Sequence, residues 1–118
     1  MILAILLYYY QIINSGNYDK NVLKDYAIVE SQVAGLSVKD QQRVITVIDK
    51  ESKFDPKRVH YNDGAKGCDS IGLVQIRNCN HDATFKQATN PIYSVNFLIK
   101  NIDKCETWWK NTCPVIDI

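Results

Sequence analysis

A helix with clear start and stop signals lies near the middle of this chain, and it limits the folds that the chain can adopt. Ser37 is a natural N-cap, and Asp40 lies three residues later, where a carboxylate suits the positive end of the helix dipole. At the other end, the residue before Pro56 is pushed out of the helical region. We therefore expect a helix from near Val38 to near residues 53–54.

Three other segments carry helical signals. The apolar pattern over residues 22–34 would be closed by Gly35 as a C-terminal cap. A short helix is expected over residues 82–88. Asn90 and Pro91 provide an N-cap and a first-turn proline, which begin a helix expected to run to about Cys105. Its apolar stripe is Ile92, Val95, Ile99 and Ile102.

Residues 56–79 separate these helices and have no long periodicity. They are rich in Asn, Asp, Gly, Lys and Ser, and loops of this length in a compact domain are usually functional. The chain has no internal repeat and no convincing series of alternating strands. We predict one mainly α domain over residues 1–118, with a long irregular loop that could contain a small β-hairpin.

Residues 1–14 are almost continuously apolar or aromatic. The segment is too short to span a bilayer as a helix, which takes about 20 residues. A signal peptide would carry Lys or Arg ahead of the apolar part and a small-x-small cleavage site after it, and neither is present. Three interpretations stay open: the hydrophobic part of a signal peptide that lacks these two signals, a core helix, and the remnant of a signal anchor. Any membrane contact is expected through this segment.

The four cysteines are expected to form disulfides, because their spacing matches no zinc signature. Local pairs would be Cys68–Cys79 and Cys105–Cys113, although three connectivities are possible. Disulfides would indicate an oxidising, extracytoplasmic compartment, whereas the alternative is four free core thiols in a cytosolic protein. His60 and His81 could join two of these cysteines in a zinc site, but the ligand spacing is not compact, so we expect no metal and no cofactor.

The composition excludes two broad classes of protein. Hydrophobic residues make up 46% of the chain, charged residues 23%, and the net charge is +1. These values fit a globular protein and exclude a disordered tail and a strongly basic nucleic-acid binder.

Glu51 is the residue at which chemistry is expected. At about 100° per residue, Val44, Ile48 and Glu51 share a narrow sector of the central helix. Burial beside apolar neighbours and the negative end of the helix dipole would both raise the pKa of this carboxyl group, as a general acid requires. The alternative is a helix-end glutamate that pairs with Lys50 or Lys53.

Three ordered motifs resemble those of the lytic transglycosylases in the lysozyme-like superfamily. They are Glu-Ser-Lys-Phe-Asp-Pro at 51–56, Gly-Leu-Val-Gln-Ile at 72–76, and Asn90-Pro91 followed by Asn96 and Leu98. The family patterns are Glu-Ser-x-aromatic-x-Pro, Gly-Leu-Met-Gln-Ile and an Asp-Pro-x-x-Asn-Ile helix start. The similarity covers residues 44–104, and goose-type lysozymes are similar in the same region.

This resemblance implies a lysozyme-like helical fold and cleavage of the β-1,4 bond between N-acetylmuramic acid and N-acetylglucosamine in peptidoglycan. Glu51 would act as acid and then as base on the muramoyl C6 hydroxyl, which closes a 1,6-anhydro ring. The other site residues that it implies are Ser52, holding Glu51 or the helix end, and His60, Ser70, Gln75 and Trp108 at the sugar. Glycan strands would be the partner of a monomer that is periplasmic, secreted or virion-associated.

The sequence also departs from the family. The loop over 60–70 is longer than usual and carries Asp63 and Asp69, either of which could position water as in an inverting goose-type lysozyme. Arg77 stands where that lysozyme has an aspartate. The family's Ala-Tyr-Asn-x-Gly motif is missing, although Trp108 and Trp109 could stack on sugars or cap the core. A non-catalytic glycan-binding module is therefore a further alternative.

Overall fold

Six α-helices and a small antiparallel sheet make up residues 2–116, the part of the chain described by this computed structural model. The helices are α1 (Ile2–Ser15), α2 (Lys20–Val33), α3 (Val38–Ser52), α4 (Phe85–Ala88), α5 (Pro91–Lys100) and α6 (Cys105–Trp108). A 3₁₀ turn, Ile102–Lys104, joins α5 to α6. The strands are β1 (Val59–His60), β2 (Ser70–Ile71) and β3 (Ile76–Arg77). The prediction of a mainly α fold is confirmed.

Helix α3 has the ends that its sequence predicts. The Ser37 hydroxyl accepts a hydrogen bond from the backbone N–H of Asp40 at 3.1 Å. After α3, both Lys53 and Phe54 adopt left-handed φ angles, 53° and 58°. This turn returns the Phe54 ring to the core, where it is 6% exposed, and so fixes the last turn of α3, which carries Glu51.

Helix α2 also ends as predicted. Gly35 has a φ of +76°, and its N–H donates to the carbonyl of Gln32 at 3.0 Å. The next N–H, from Leu36, donates to the carbonyl of Ser31 at 3.1 Å, which completes a Schellman motif.

Helix α1 packs against α2 and contributes to the core. Leu6 and Ile13 are buried, and the Tyr10 hydroxyl donates to the Glu30 carboxylate at 3.0 Å. The core-helix interpretation therefore describes one face of α1, and the signal-anchor interpretation stays a prediction. Within residues 2–116, no helix has the length and hydropathy needed to cross a membrane. The exposed apolar and aromatic residues of α1 are Ile2, Leu3, Ile5, Leu7 and Tyr8.

The long loop folds into a sheet of three strands in the order β1-β2-β3, both pairs antiparallel. His60 pairs with Ser70, which pairs in turn with Arg77. Two disulfides are present, Cys68–Cys79 across this region and Cys105–Cys113 after α5. The disulfide prediction is confirmed, and the two bonds are consistent with an oxidising compartment.

Two helix boundaries differ from the prediction. The helix expected over 82–88 begins only at Phe85, because Thr84 and Gln87 form a reciprocal capping box that starts it there. The helix expected to reach Cys105 ends at Lys100. Asn101 leaves the helical region, and its side-chain amide donates to the carbonyl of Phe97 at 2.8 Å, which closes the last turn.

Candidate active site

Glu51 lies in the last turn of α3 and lines a cavity of about 250 Å³. Val44 and Ile48, on the same helix face, are fully buried, whereas Glu51 is half-buried. Among the described residues, no salt bridge joins Glu51 to Lys50 or Lys53. The carboxylate therefore occupies the boundary between core and cavity that the helical periodicity predicts.

Within residues 2–116, the carboxylate of Glu51 has one direct side-chain partner. The hydroxyl of Thr112 donates to Oε2 of Glu51 at 2.6 Å, and the two residues are 61 positions apart in the chain. Thr112 is held by a turn after α6, in which its own N–H donates to the carbonyl of Trp109 at 3.0 Å. Its neighbour Cys113 is bonded to Cys105, so the disulfide ties the Thr112 segment to the start of α6.

The environment of Glu51 raises the pKa of its carboxyl group above the ordinary value of 4.5. Burial is the largest cause, because it disfavours the charged form, and the negative charge of Asp63 acts in the same direction. The hydrogen bond from Thr112 and the positive charge of Arg58 oppose the shift, since both favour the carboxylate. The net effect keeps the group protonated to higher pH, as general-acid catalysis requires.

The two loop aspartates have different positions. Asp63 lines the Glu51 cavity, and its Oδ2 accepts a hydrogen bond from the hydroxyl of Ser70 at 2.5 Å. Its Oδ1 lies 3.6 Å from Nδ1 of His60. Asp69 instead accepts a hydrogen bond from the backbone N–H of Asn62 at 2.9 Å and so shapes the loop. Of the two, Asp63 is the carboxylate placed with Glu51.

Gln75 lines the cavity from a strained turn. Its φ is +54°, and its side-chain N–H₂ donates to the carbonyls of Arg58, at 3.1 Å, and Gly72, at 2.9 Å. Because both amide protons hold the turn, the side-chain oxygen is the atom available to accept a hydrogen bond from a sugar.

Of the five other residues expected at the site, four line the cavity with Glu51. These are His60, Ser70, Gln75 and Trp108. The fifth, Ser52, is only 1% exposed, and its hydroxyl donates to the carbonyl of Ile48 at 3.1 Å. Ser52 therefore lies inside the fold and stabilises the end of α3, which is one of the two roles expected of it.

The two tryptophans have different positions, one buried in the core and one exposed in the cavity wall. Trp109 is 5% exposed, and its indole N–H donates to the carbonyl of Val74 at 2.8 Å, so it caps the core. Trp108 is 40% exposed and lines the cavity, with the Lys104 ammonium 5.5 Å from its ring centroid. Trp108 is thus the one whose ring a ligand can reach.

Sequence patterns did not single out Thr112, which no motif contains. Arg77, considered only as a departure, lines the cavity, and its side-chain Nε donates to the carbonyl of Asp63 at 2.9 Å. A zinc site formed by His60, His81, Cys68 and Cys79 is excluded, because the two cysteines are bonded to each other.

Comparisons with known proteins give no match of this chain to a family model, a curated protein or a solved structure. The case for a function therefore depends on the motifs and on the geometry at Glu51.

Proposed function

We propose that this protein is a lytic transglycosylase that cleaves the β-1,4 bond between N-acetylmuramic acid and N-acetylglucosamine in peptidoglycan. The observation that carries the proposal is the half-buried carboxyl group of Glu51, with a raised pKa, in a cavity that also contains Gln75 and Trp108. The three motifs that resemble the lysozyme-like family contribute Glu51 and Gln75 to this cavity. Its site of action would be periplasmic, secreted or virion-associated, in keeping with the two disulfides.

In the proposed reaction, Glu51 gives its proton to the glycosidic oxygen as the bond from that oxygen to C1 of the muramoyl residue breaks. The substrate's N-acetyl group stabilises the positive charge at C1. Glu51, now ionised, takes the proton of the C6 hydroxyl as the C6 oxygen bonds to C1. One protein carboxylate is sufficient, because the substrate supplies the nucleophile.

The surrounding side chains suit this cycle. Thr112 donates to the ionised form of Glu51, which exists between the two proton transfers, and fixes the position of the carboxylate. The Gln75 oxygen can accept from an acetamido N–H or a hydroxyl, and the exposed ring of Trp108 can stack on the apolar face of a pyranose.

A hydrolytic muramidase is the second candidate, because Asp63 lines the same cavity and affects the pKa of Glu51 by its charge. A carboxylate in that position could activate water on the opposite face of the sugar and invert the anomeric centre. The two reactions give different products. Mass spectrometry would find 1,6-anhydro ends for the transglycosylase and reducing ends for the hydrolase.

The central test is digestion of purified peptidoglycan by the oxidised protein. We expect Glu51→Gln to lower the release of soluble muropeptides by at least about 100-fold, the usual contribution of a general acid. Glu106→Gln is the matched control, since Glu106 is exposed and pairs with Arg43. Wild-type activity in Glu51→Gln would refute the proposal. Binding to peptidoglycan without turnover in either form would indicate a glycan-binding module.

A further inference from the structure

A second concave surface runs along α5 and has a volume of about 620 Å³. We call it the α5 groove, and the lining residues used below are Asn90, Tyr93, Phe97, Lys100, Asn101 and Trp108. None of these has a role in the chemistry at Glu51 except Trp108, which lines both surfaces.

The α5 groove and the Glu51 cavity both have Trp108 in their walls. A third cavity, of about 310 Å³, lies between them and has His81 in its wall. It shares Gln75 and Trp108 with the Glu51 cavity, and Phe97 and Trp108 with the α5 groove. The three cavities are therefore neighbours, and a linear ligand that spans the Glu51 cavity and the α5 groove would pass Trp108.

Aromatic rings form one wall of this path. The rings of Tyr93 and Phe97 are nearly parallel, at 21° and 6.3 Å between centroids, and those of Phe97 and Trp108 meet at 23° and 6.2 Å. His81 packs against Trp108 with centroids 4.6 Å apart. A row of partly exposed rings in similar orientation suits the apolar C–H faces of successive pyranose units, because each ring offers a flat apolar surface at low entropic cost.

The polar groups of the groove are oriented amides. The Oδ1 of Asn90 accepts from the N–H groups of Ile92, at 2.9 Å, and Tyr93, at 3.2 Å, so its N–H₂ is left to donate. The N–H₂ of Asn101 donates to the carbonyl of Phe97, so its oxygen is left to accept. The free donor at the start of α5 and the free acceptor at its end complement the C=O of one acetamido group and the N–H of another along the same strand.

We propose that the α5 groove is a second binding site for N-acetylated amino sugars, which holds the glycan strand at units remote from the cleaved bond. The proposal rests on the proposed function for the identity of the strand. Among the described residues that line the groove, Lys100 is the one cation, whereas phosphate-rich ligands are held by several. The consequence is a preference for long strands over short fragments.

The test uses the full oxidised chain with Glu51→Gln, so that binding is measured without turnover. The probes are the β-1,4-linked dimer and hexamer of N-acetylglucosamine, and binding is followed by tryptophan fluorescence. We expect the hexamer to bind more tightly than the dimer. Adding Tyr93→Ser should weaken hexamer binding about tenfold and leave dimer binding unchanged.

Two further variants make the result specific. Asn90→Asp keeps the cap of α5, because aspartate is also a good N-cap, but removes the free donor, so it should weaken hexamer binding in a folded protein. Tyr8→Ser, the same change at an exposed tyrosine of α1, should have no effect. Equal hexamer binding in Tyr93→Ser, Asn90→Asp and their parent would overturn the proposal.

Failure of the proposal can be told apart from failure of the proposed function. If the wild-type protein releases muropeptides but the groove variants bind and cleave long strands normally, the second site alone is refuted. If no wild-type turnover occurs and the hexamer still depends on Tyr93 and Asn90, the groove stands as a glycan-binding site and the catalytic proposal is refuted.

Discussion

At the scale of single residues, the pKa of Glu51 depends on neighbouring groups that act in opposite directions. Burial and the charge of Asp63 raise the pKa of its carboxyl group, whereas Thr112 and Arg58 lower it. In the proposed reaction Glu51 first gives a proton and then takes one, and such a group works best when its pKa lies near the working pH. Because the influences come from separate side chains, each can be removed by one substitution.

Removal of the Thr112 hydroxyl should move the alkaline limb of the pH–activity profile to higher pH. The hydrogen bond favours ionised Glu51, so Thr112→Val raises the pKa of Glu51 further and keeps its carboxyl group protonated to higher pH. We also expect kcat to fall by about tenfold, since the carboxylate loses its orientation. Thr112→Ser, which retains the hydroxyl, should restore both the limb and kcat. An alkaline limb that stays in place in Thr112→Val would contradict this role.

Removal of the Asp63 charge should move the same limb in the opposite direction. Asp63→Asn withdraws a negative charge that raises the pKa of Glu51, so protonated Glu51 is lost at lower pH. Under the transglycosylase mechanism, kcat on the plateau should change by less than about tenfold, and the anhydro products should persist. A loss of about 100-fold or more, with reducing ends in the wild-type products, would instead assign Asp63 as the base of a hydrolase.

At the scale of elements, Gly72 joins the sheet to the helices through a contact that no other residue permits. Its φ is +85°, and a Cβ there would lie 1.8 Å from the carbonyl oxygen of Ala88, at the end of α4. We expect Gly72→Ala to reduce the free energy of unfolding by more than about 3 kcal/mol in urea denaturation, because backbone must move. Gly67→Ala is the control, with a φ of +81° and no atom within 4 Å, and should cost only about 1–2 kcal/mol. If both variants lose the same amount of unfolding free energy, the contact with α4 does not contribute to stability.

The disulfide Cys105–Cys113 is expected to act on Glu51 through Thr112. It joins residues eight positions apart, and replacement of both cysteines by alanine should cost about 2.5 kcal/mol of unfolding free energy. The alkaline limb should also shift upward, as in Thr112→Val. If the bond acts by placing Thr112, adding Thr112→Val to the alanine variant should cause no further shift. Additive shifts would show that the two effects are independent.

At the scale of the whole molecule, the sequence predicts those features that depend on local signals. The end of α2 and the start of α3 follow from Gly35 and Ser37, each of which acts within one turn of helix. Pro56 restricts only Asp55, and α3 ends earlier, at Ser52, because Lys53 and Phe54 are left-handed. The three strands have two residues each, too few for an alternating pattern to develop. The contact between Thr112 and Glu51 joins residues 61 positions apart, and no periodicity encodes it. The motifs that resemble the lysozyme-like family include Glu51 and Gln75, so these two residues could be proposed from the sequence. No motif includes Thr112.

The raised pKa of Glu51 also makes a prediction about the stability of the whole fold. A carboxyl group whose pKa is higher in the folded than in the unfolded state costs stability as pH rises from the unfolded value, about 4.5, through the folded value. Below both values the group is protonated in either state and contributes nothing. Glu51→Gln cannot ionise, so we expect its Tm to exceed that of the wild type at pH 7 and to match it at pH 3.5. Glu106→Gln, which removes an exposed partner of Arg43, should bring no gain at pH 7. A lower Tm for Glu51→Gln at pH 7 would mean that ionised Glu51 stabilises the fold. With the expected result, the protein retains a residue that weakens its fold at neutral pH, as selection for catalysis at that position would produce.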